Sequence, residues 1–321
     1  MTMVTLETRN NVDFSDVTNN QAKYHYCENA SHSTCNWLVK ADQAPFCLAC
    51  SLNRTIPKLS HDGNLDKWKR IELAKHRLIY SLLRLQVPVN AKIEPDDEEG
   101  LAFDFMSDTS KGKRIMTGHA NGVITINIEE ADEAIRVQHK LDLGEKYRTL
   151  LGHMRHEVGH YYWDVLIKDS NYLDQYRQLF GDERQDYSEA LNSYYENGPV
   201  ANWNDSYISP YATSHSWEDW AETWAHYLHL MDTLETAHAF GIDIYPTQLG
   251  DNPKMQTEIY QDPYTIKDFK QIMDMWLPLT FAVNSLNRSM GHIDFYPFVI
   301  APAVLDKLQF IHDVCGANRL N

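Results

Sequence analysis

Residues 150–167 read LLGHMRHEVGHYYWDVLI, and this stretch decides how the rest of the chain is read. It has no proline and carries apolar residues at helical spacing, which predicts a helix within 147–168. Inside it, His156-Glu157-Val158-Gly159-His160 sets two imidazoles four residues apart. Four residues are slightly more than one turn, so both rings project from one face and can hold one zinc ion through their nitrogens. Glu157 points to the neighbouring side. From there its carboxylate reaches a metal-bound water without ligating the metal, the position of a general base in metal-assisted hydrolysis.

Two histidines leave a hydrolytic zinc one protein ligand short, so a third is expected from another helix. Residues 217–230, WEDWAETWAHYLHL, supply one. Glu218, Glu222 and His226 are spaced by four and share a face. Carboxylates set among Trp217, Trp220 and Trp224 need a partner, and a metal provides it. Glu218 is the preferred third ligand, with Asp219, Glu222 and His215 as alternatives. An acid followed by another one turn later is similar to gluzincin peptidases, where the first ligates zinc and the second orients a zinc-bound histidine. That gives Glu222 a supporting role. Ser216 reads as the helix N-cap, with Asp219 three positions on answering it. His153 and His229 read as packed or capping residues. Tyr211, Tyr161 and His215 are candidate donors to a developing oxyanion.

Upstream, four of the five cysteines fall at Cys27, Cys35, Cys47 and Cys50. Four thiolates close a tetrahedral site with no open position, so the expected metal is a structural zinc that folds a module too small for its own core. A redox reading of Cys47-Leu-Ala-Cys50 is weaker, because no thioredoxin-like βαβ pattern surrounds it. Cys315, in an apolar helix, reads as a buried spectator. The expected organisation is a flexible arm at 1–20, a zinc-ribbon-like four-cysteine module at 21–60 and a catalytic domain at 61–321. A helix is expected from Asp66 to about Leu85, with apolar positions including Ile71, Leu73, Leu78, Leu82 and Leu83, stopped by Pro88. Short strands are expected at 101–105 and 123–128, the second a candidate edge for an extended substrate. Helices follow at roughly 131–143, 147–168, 172–179, 185–196, 217–239, 265–288 with a break at Pro278, and 301–313. The fold class is α+β, predominantly helical with a small sheet.

The 321 residues are 43% apolar and 12% aromatic, enough for a real core, and their net charge of −16 opposes binding to nucleic acid or to an anionic membrane. The first 20 residues lack the basic start and apolar stretch of an export signal. The best apolar run, PFVIAPAVL at 297–305, is too short to span a bilayer and holds two prolines. A cytoplasmic location is expected, where clustered cysteines serve metals rather than disulfides.

HMRHEVGHYYWDVL, FGDERQDYSEAL, SHSWEDWAETWAHYLHLMDTLETA and NSLNRSMGHIDFYPFV, with the earlier CNWLV and CxxCSLNRTIPKLS, together resemble a bacterial zinc-binding metallopeptidase family. Its members join an N-terminal zinc ribbon to a gluzincin-like HExxH domain. The resemblance covers nearly all of the chain after about residue 24. It implies a zincin-like fold with His156, His160 and Glu218 in the ligand positions and Glu157 in the catalytic one. The expected function is zinc-dependent peptide-bond hydrolysis of a peptide or protein substrate, with one catalytic and one structural Zn2+ and a protein partner at the N-terminal module. The alternatives are a non-catalytic, zinc-stabilised interaction protein and a zinc hydrolase of a non-peptide bond.

Overall fold

Short extended segments open the chain. In the computed structural model, which describes residues 6–9, 13–16, 23–97, 99–108, 115–133, 135–136, 149–247 and 255–318, strands β1 (Leu6–Arg9), β2 (Asp13–Asp16), β3 (Lys23–Tyr26) and β4 (Leu38–Lys40) form an antiparallel sheet in chain order. Phe14 lies opposite Tyr24, and Tyr24 opposite Lys40. The first two strands fall in the stretch expected to be an arm. Polar composition argues against burial, but a neighbouring strand still offers the backbone partners that make a ladder.

A one-turn helix, α1 (Leu48–Ser51), leads into β5 (Asn53–Thr55). Helix α2 (Asn64–Leu85) buries Trp68, Ile71, Leu78, Ile79, Leu82 and Leu85 completely. Leu73 breaks the expected pattern at 59% exposure, because it sits off that stripe. The helix stops before Pro88, at Gln86, whose φ of 60° is left-handed.

A second sheet has the order β5-β6-β8-β7, with β6 (Ala102–Met106), β7 (Gly118–Ala120) and β8 (Val123–Asn127). Strands β5 and β8 both run parallel to β6, and β7 is antiparallel to β8. Asn121 and Gly122, at φ 49° and 75°, join β7 to β8, the Asn-Gly pair that a two-residue hairpin needs for positive φ at both positions. A Cβ at residue 122 would meet the Gly100 carbonyl oxygen at 2.0 Å. The strand expected as an edge is therefore interior. β8 pairs with β6 along its length and with β7 at Val123–Thr125.

The expected helix at 131–143 lies mostly outside the described residues. The remaining helices are α3 (Leu150–Leu166), α4 (Leu173–Phe180), α5 (Tyr187–Asn197), α6 (Ser216–Phe240), α7 (Phe269–Ser289) and α8 (Pro302–Ala317). α7 runs through Pro278 without the expected break. Proline removes one ladder bond, and burial of Ile272, Met275, Trp276 and Leu279 around it holds the helix together.

The chain divides into two compact units, Met1–Arg84 with Pro88–Glu157, and Leu85–Val87 with Val158–Asn321. The first contains both sheets. The second is built around α6, which is buried on most of its circumference, as its dense apolar and aromatic content requires. Trp220 lies edge-on to Phe180 of α4 and Phe310 of α8, with ring centroids 5.6 and 6.2 Å apart. Cys315 is fully buried in α8. No helix among the described residues is long and apolar enough to cross a membrane.

Candidate metal centres

Thr149 immediately precedes helix α3, and its hydroxyl oxygen accepts from the Gly152 N–H at 3.0 Å. Gly159 of α3 lets α6 approach closely. A Cβ there would meet Ala221 Cα at 3.0 Å and Trp224 Cβ at 3.3 Å. The Trp220 indole N–H donates to the Gly159 carbonyl at 2.8 Å, and Tyr162 stacks on Trp224 at 4.8 Å between centroids. This contact brings His160 to Glu218, with Nε2 3.5 Å from Oε1. Gly159→Ala is expected to lower stability by about 1–3 kcal/mol through overpacking against backbone, read as a lower urea midpoint at unchanged m.

Glu218 is 1% exposed, and its Oε1 accepts the Tyr187 hydroxyl at 2.7 Å. His156 lies one turn before His160 on α3. One ligand atom each from His156, His160 and Glu218 lies within 4.8 Å of the others. Two imidazoles and a deeply buried carboxylate form a donor set that suits zinc, and burying that carboxylate is costly without a cation. The cluster is compatible with a zinc site.

Glu157 is nearly buried on the adjoining side of α3, with Oε1 3.2 Å from His153 Nε2. His153 Nδ1 in turn meets Glu130 Oε2 at 2.6 Å, and Glu130 also accepts from the Thr117 hydroxyl. His153 is thus no ordinary packed residue. Burial pushes its pKa down, but the charges of Glu130 and Glu157 outweigh that and raise it to about 9. Its spacing of four from Glu157 is visible in the sequence. Glu130 comes from a 3-10 turn at Ile128–Ala131 that no spacing rule connects to α3. Tyr187, on α5, is equally hidden.

The other expectations sort differently. The N-cap of α6 is His215, not Ser216: its Nδ1 accepts from the Trp217 N–H at 3.1 Å while Nε2 donates to the Gln185 carbonyl at 3.1 Å. Both ring nitrogens are used in fixing the helix start, which removes His215 as a ligand or oxyanion donor. Asp219 does not answer a cap. It pairs with Lys307 of α8 at 2.6 Å. Glu222 accepts from the Ser209 hydroxyl at 2.6 Å. Tyr161 is fully buried, and burial together with the Glu218 charge raises the Tyr211 hydroxyl above its ordinary range.

His226, on the shared face expected for Glu218 and Glu222, pairs instead with the Tyr296 hydroxyl at 2.9 Å and packs on Phe298. Burial lowers its pKa to about 4, against a pull upward from Glu222. A histidine depressed on folding binds its proton more readily when unfolded. Its contribution is therefore complete above about pH 6.5 and is lost as pH falls toward 4. We predict that His226→Phe flattens the loss of unfolding free energy between pH 6.5 and 4 by up to about 3 kcal/mol. Urea titrations at both pH values check this.

The cysteines converge as a second centre. Cys27 follows β3, Cys35 sits in the next loop, Cys47 is the N-cap residue of α1 and Cys50 lies within it. Their sulfurs lie within 4.8 Å of one another, with Cys35 and Cys47 3.6 Å apart. The N–H groups of Trp37 and Cys47 donate to the sulfurs of Cys35 and Cys27, each at 3.4 Å. Four sulfurs at this spacing suit a tetrahedral ion with thiolate bonds of about 2.3 Å, and the cluster suggests structural zinc.

The family model described as "Putative zinc-binding metallo-peptidase" matches residues 64–314. The chain belongs to this metallopeptidase family. A zinc-ribbon domain model matches residues 1–61, so the chain has the ribbon-plus-peptidase composition that its motifs resemble. Uncharacterised proteins of Mycobacterium tuberculosis strain H37Rv and of Mycobacterium bovis are each 44% identical to it over 295 residues, 91% of this chain and 83% of theirs. No solved structure matches.

Proposed function

We propose that this family member hydrolyses peptide bonds with His156, His160 and Glu218 holding a catalytic zinc and Glu157 serving as general base. The observation that supports this best is the meeting of His160 and Glu218 across α3 and α6, with Glu157 on the same turn of α3. When bound, zinc supplies polarisation of the scissile carbonyl and a water acidic enough to attack it. Glu157 takes the proton released in that attack and returns it to the leaving amine. His153 holds one Glu157 oxygen through Nε2, 3.2 Å away, and so fixes the direction of the carboxylate. Tyr187 fixes the orientation of the Glu218 carboxylate through Oε1. The cysteine centre holds a second zinc with a structural role, and the ribbon offers a surface to a protein partner.

The test is hydrolysis of a diverse peptide library by the full chain loaded with zinc, with new termini read by mass spectrometry. Cleavage is expected to stop when a chelator strips the metal and to return with added zinc. Absence of any cleavage by the loaded protein would sink the reading.

A further inference from the structure

Helix α2 sends one side chain into the cysteine centre. His76 Nε2 lies 3.1 Å from the Cys35 sulfur, 3.7 Å from that of Cys50 and 3.8 Å from that of Cys47. It lies within 3.8 Å of three of the four sulfurs. At ordinary bond lengths, a nitrogen and a sulfur on one tetrahedral zinc ion lie about 3.5 Å apart, and the three distances bracket that value. The four cysteines make one four-donor set. His76 with Cys35, Cys47 and Cys50 makes a second that shares three sulfurs with it.

The ring is set for ligation. His76 Nδ1 is 2.7 Å from the Glu72 backbone carbonyl, which can only accept, so Nδ1 carries the hydrogen. The atom turned toward the sulfurs is then Nε2, the arrangement in which a metal-binding histidine donates its other N–H to a carbonyl. The surroundings allow little rotation. Trp37 lies edge-on to the ring at 5.1 Å between centroids. The fully buried Glu72 receives the N–H groups of Trp68, Asn53 and Lys75 on Oε1, and its Oε2 lies 3.4 Å from His76 Nδ1.

We propose that His76 is a fifth donor at the cysteine centre: Cys35, Cys47 and Cys50 are the common ligands, and Cys27 and His76 compete for the fourth position on a zinc-like divalent cation. The inference rests on reading the cysteines as a metal site and is independent of catalysis at His156 and His160. It makes the ribbon metal a tie between the cysteine segment and α2.

The test is cobalt titration of the metal-stripped full chain and of Cys27→Ala, His76→Ala and the double variant, followed by the thiolate-to-cobalt charge-transfer band. Imidazole and carboxylate ligands do not produce this band, so the second centre is silent in it. Cys27→Ala is expected to keep a band of about three quarters the wild-type intensity, in proportion to the three thiolates left. Adding His76→Ala to it is expected to weaken cobalt binding by at least about tenfold, the smaller effect seen when a metal site loses a supporting histidine contact. Far-ultraviolet circular dichroism on each variant, with Cys27→Ser as a second replacement, separates lost ligation from lost fold. Equal affinities for Cys27→Ala and the double variant would overturn the proposal. A wild-type protein with no charge-transfer band would overturn it together with the metal reading of the cysteines, leaving the catalytic reading to its own test.

Discussion

Glu157→Gln is expected to leave zinc at the His156–His160–Glu218 cluster and to lower peptide hydrolysis by about 10²–10⁴-fold, the usual contribution of a positioned general base. The replacement keeps the side chain's size and leaves an amide oxygen that can still accept from His153, 3.2 Å from Oε1 in the native chain. What it removes is the ability to take up a proton. The loss should therefore fall on kcat, with KM little changed, because the missing interaction is made in the transition state and not in substrate binding. Zinc content per chain and steady-state kinetics on the best library peptide decide it. Retained zinc with retained kcat would mean that Glu157 is not the base.

Lys307→Met is expected to be the most destabilising single change outside the metal centres, at about 3–5 kcal/mol, because it strands a buried carboxylate. Lys307 is 4% exposed and Asp219 fully buried; their charged atoms lie 2.6 Å apart. The ammonium also donates to the Ser206 carbonyl at 2.7 Å and lies over the Tyr207 ring, 4.4 Å from its centroid. Methionine replaces the stem but none of these polar contacts. The pair joins α8 to the first turn of α6, one residue from Glu218, so the variant should also bind zinc less tightly. Adding Asp219→Asn should recover part of the loss, since an amide is far less costly to bury unpaired than a carboxylate. A double variant as unstable as the sum of the two single changes would show that the two groups act independently.

How much of this is legible in the sequence follows from the range of each rule. The helical repeat is local, so it places α3 and α6 within a few residues and puts His156 and His160 on one face. The cysteine spacing carries the ribbon for the same reason: two close thiols, Cys47 and Cys50, fall within one turn of chain. Local rules also mislead. Ser216 has the chemistry of an N-cap, yet His215, one residue earlier, performs that role because the Gln185 carbonyl holds its ring in place. Composition marks 1–20 as an arm, although Leu6–Arg9 and Asp13–Asp16 find strand partners. The 123–128 segment reads correctly as a strand, but its place inside the sheet depends on which strand pairs beside it.

The sequence by itself determined which residue types gather in the two clusters, the helix that carries the histidines and the family to which the chain belongs. Only the tertiary structure decided which acid meets His160 and which meets a lysine. Glu218 and Asp219 are adjacent in sequence and project about 100° apart on a helix, so the packing of α3 against one side and α8 against the other assigns them opposite roles. The same holds for Tyr187 and His76. Each reaches a centre from an element whose approach is set by the packing of side chains far along the chain, and periodicity does not encode such an approach.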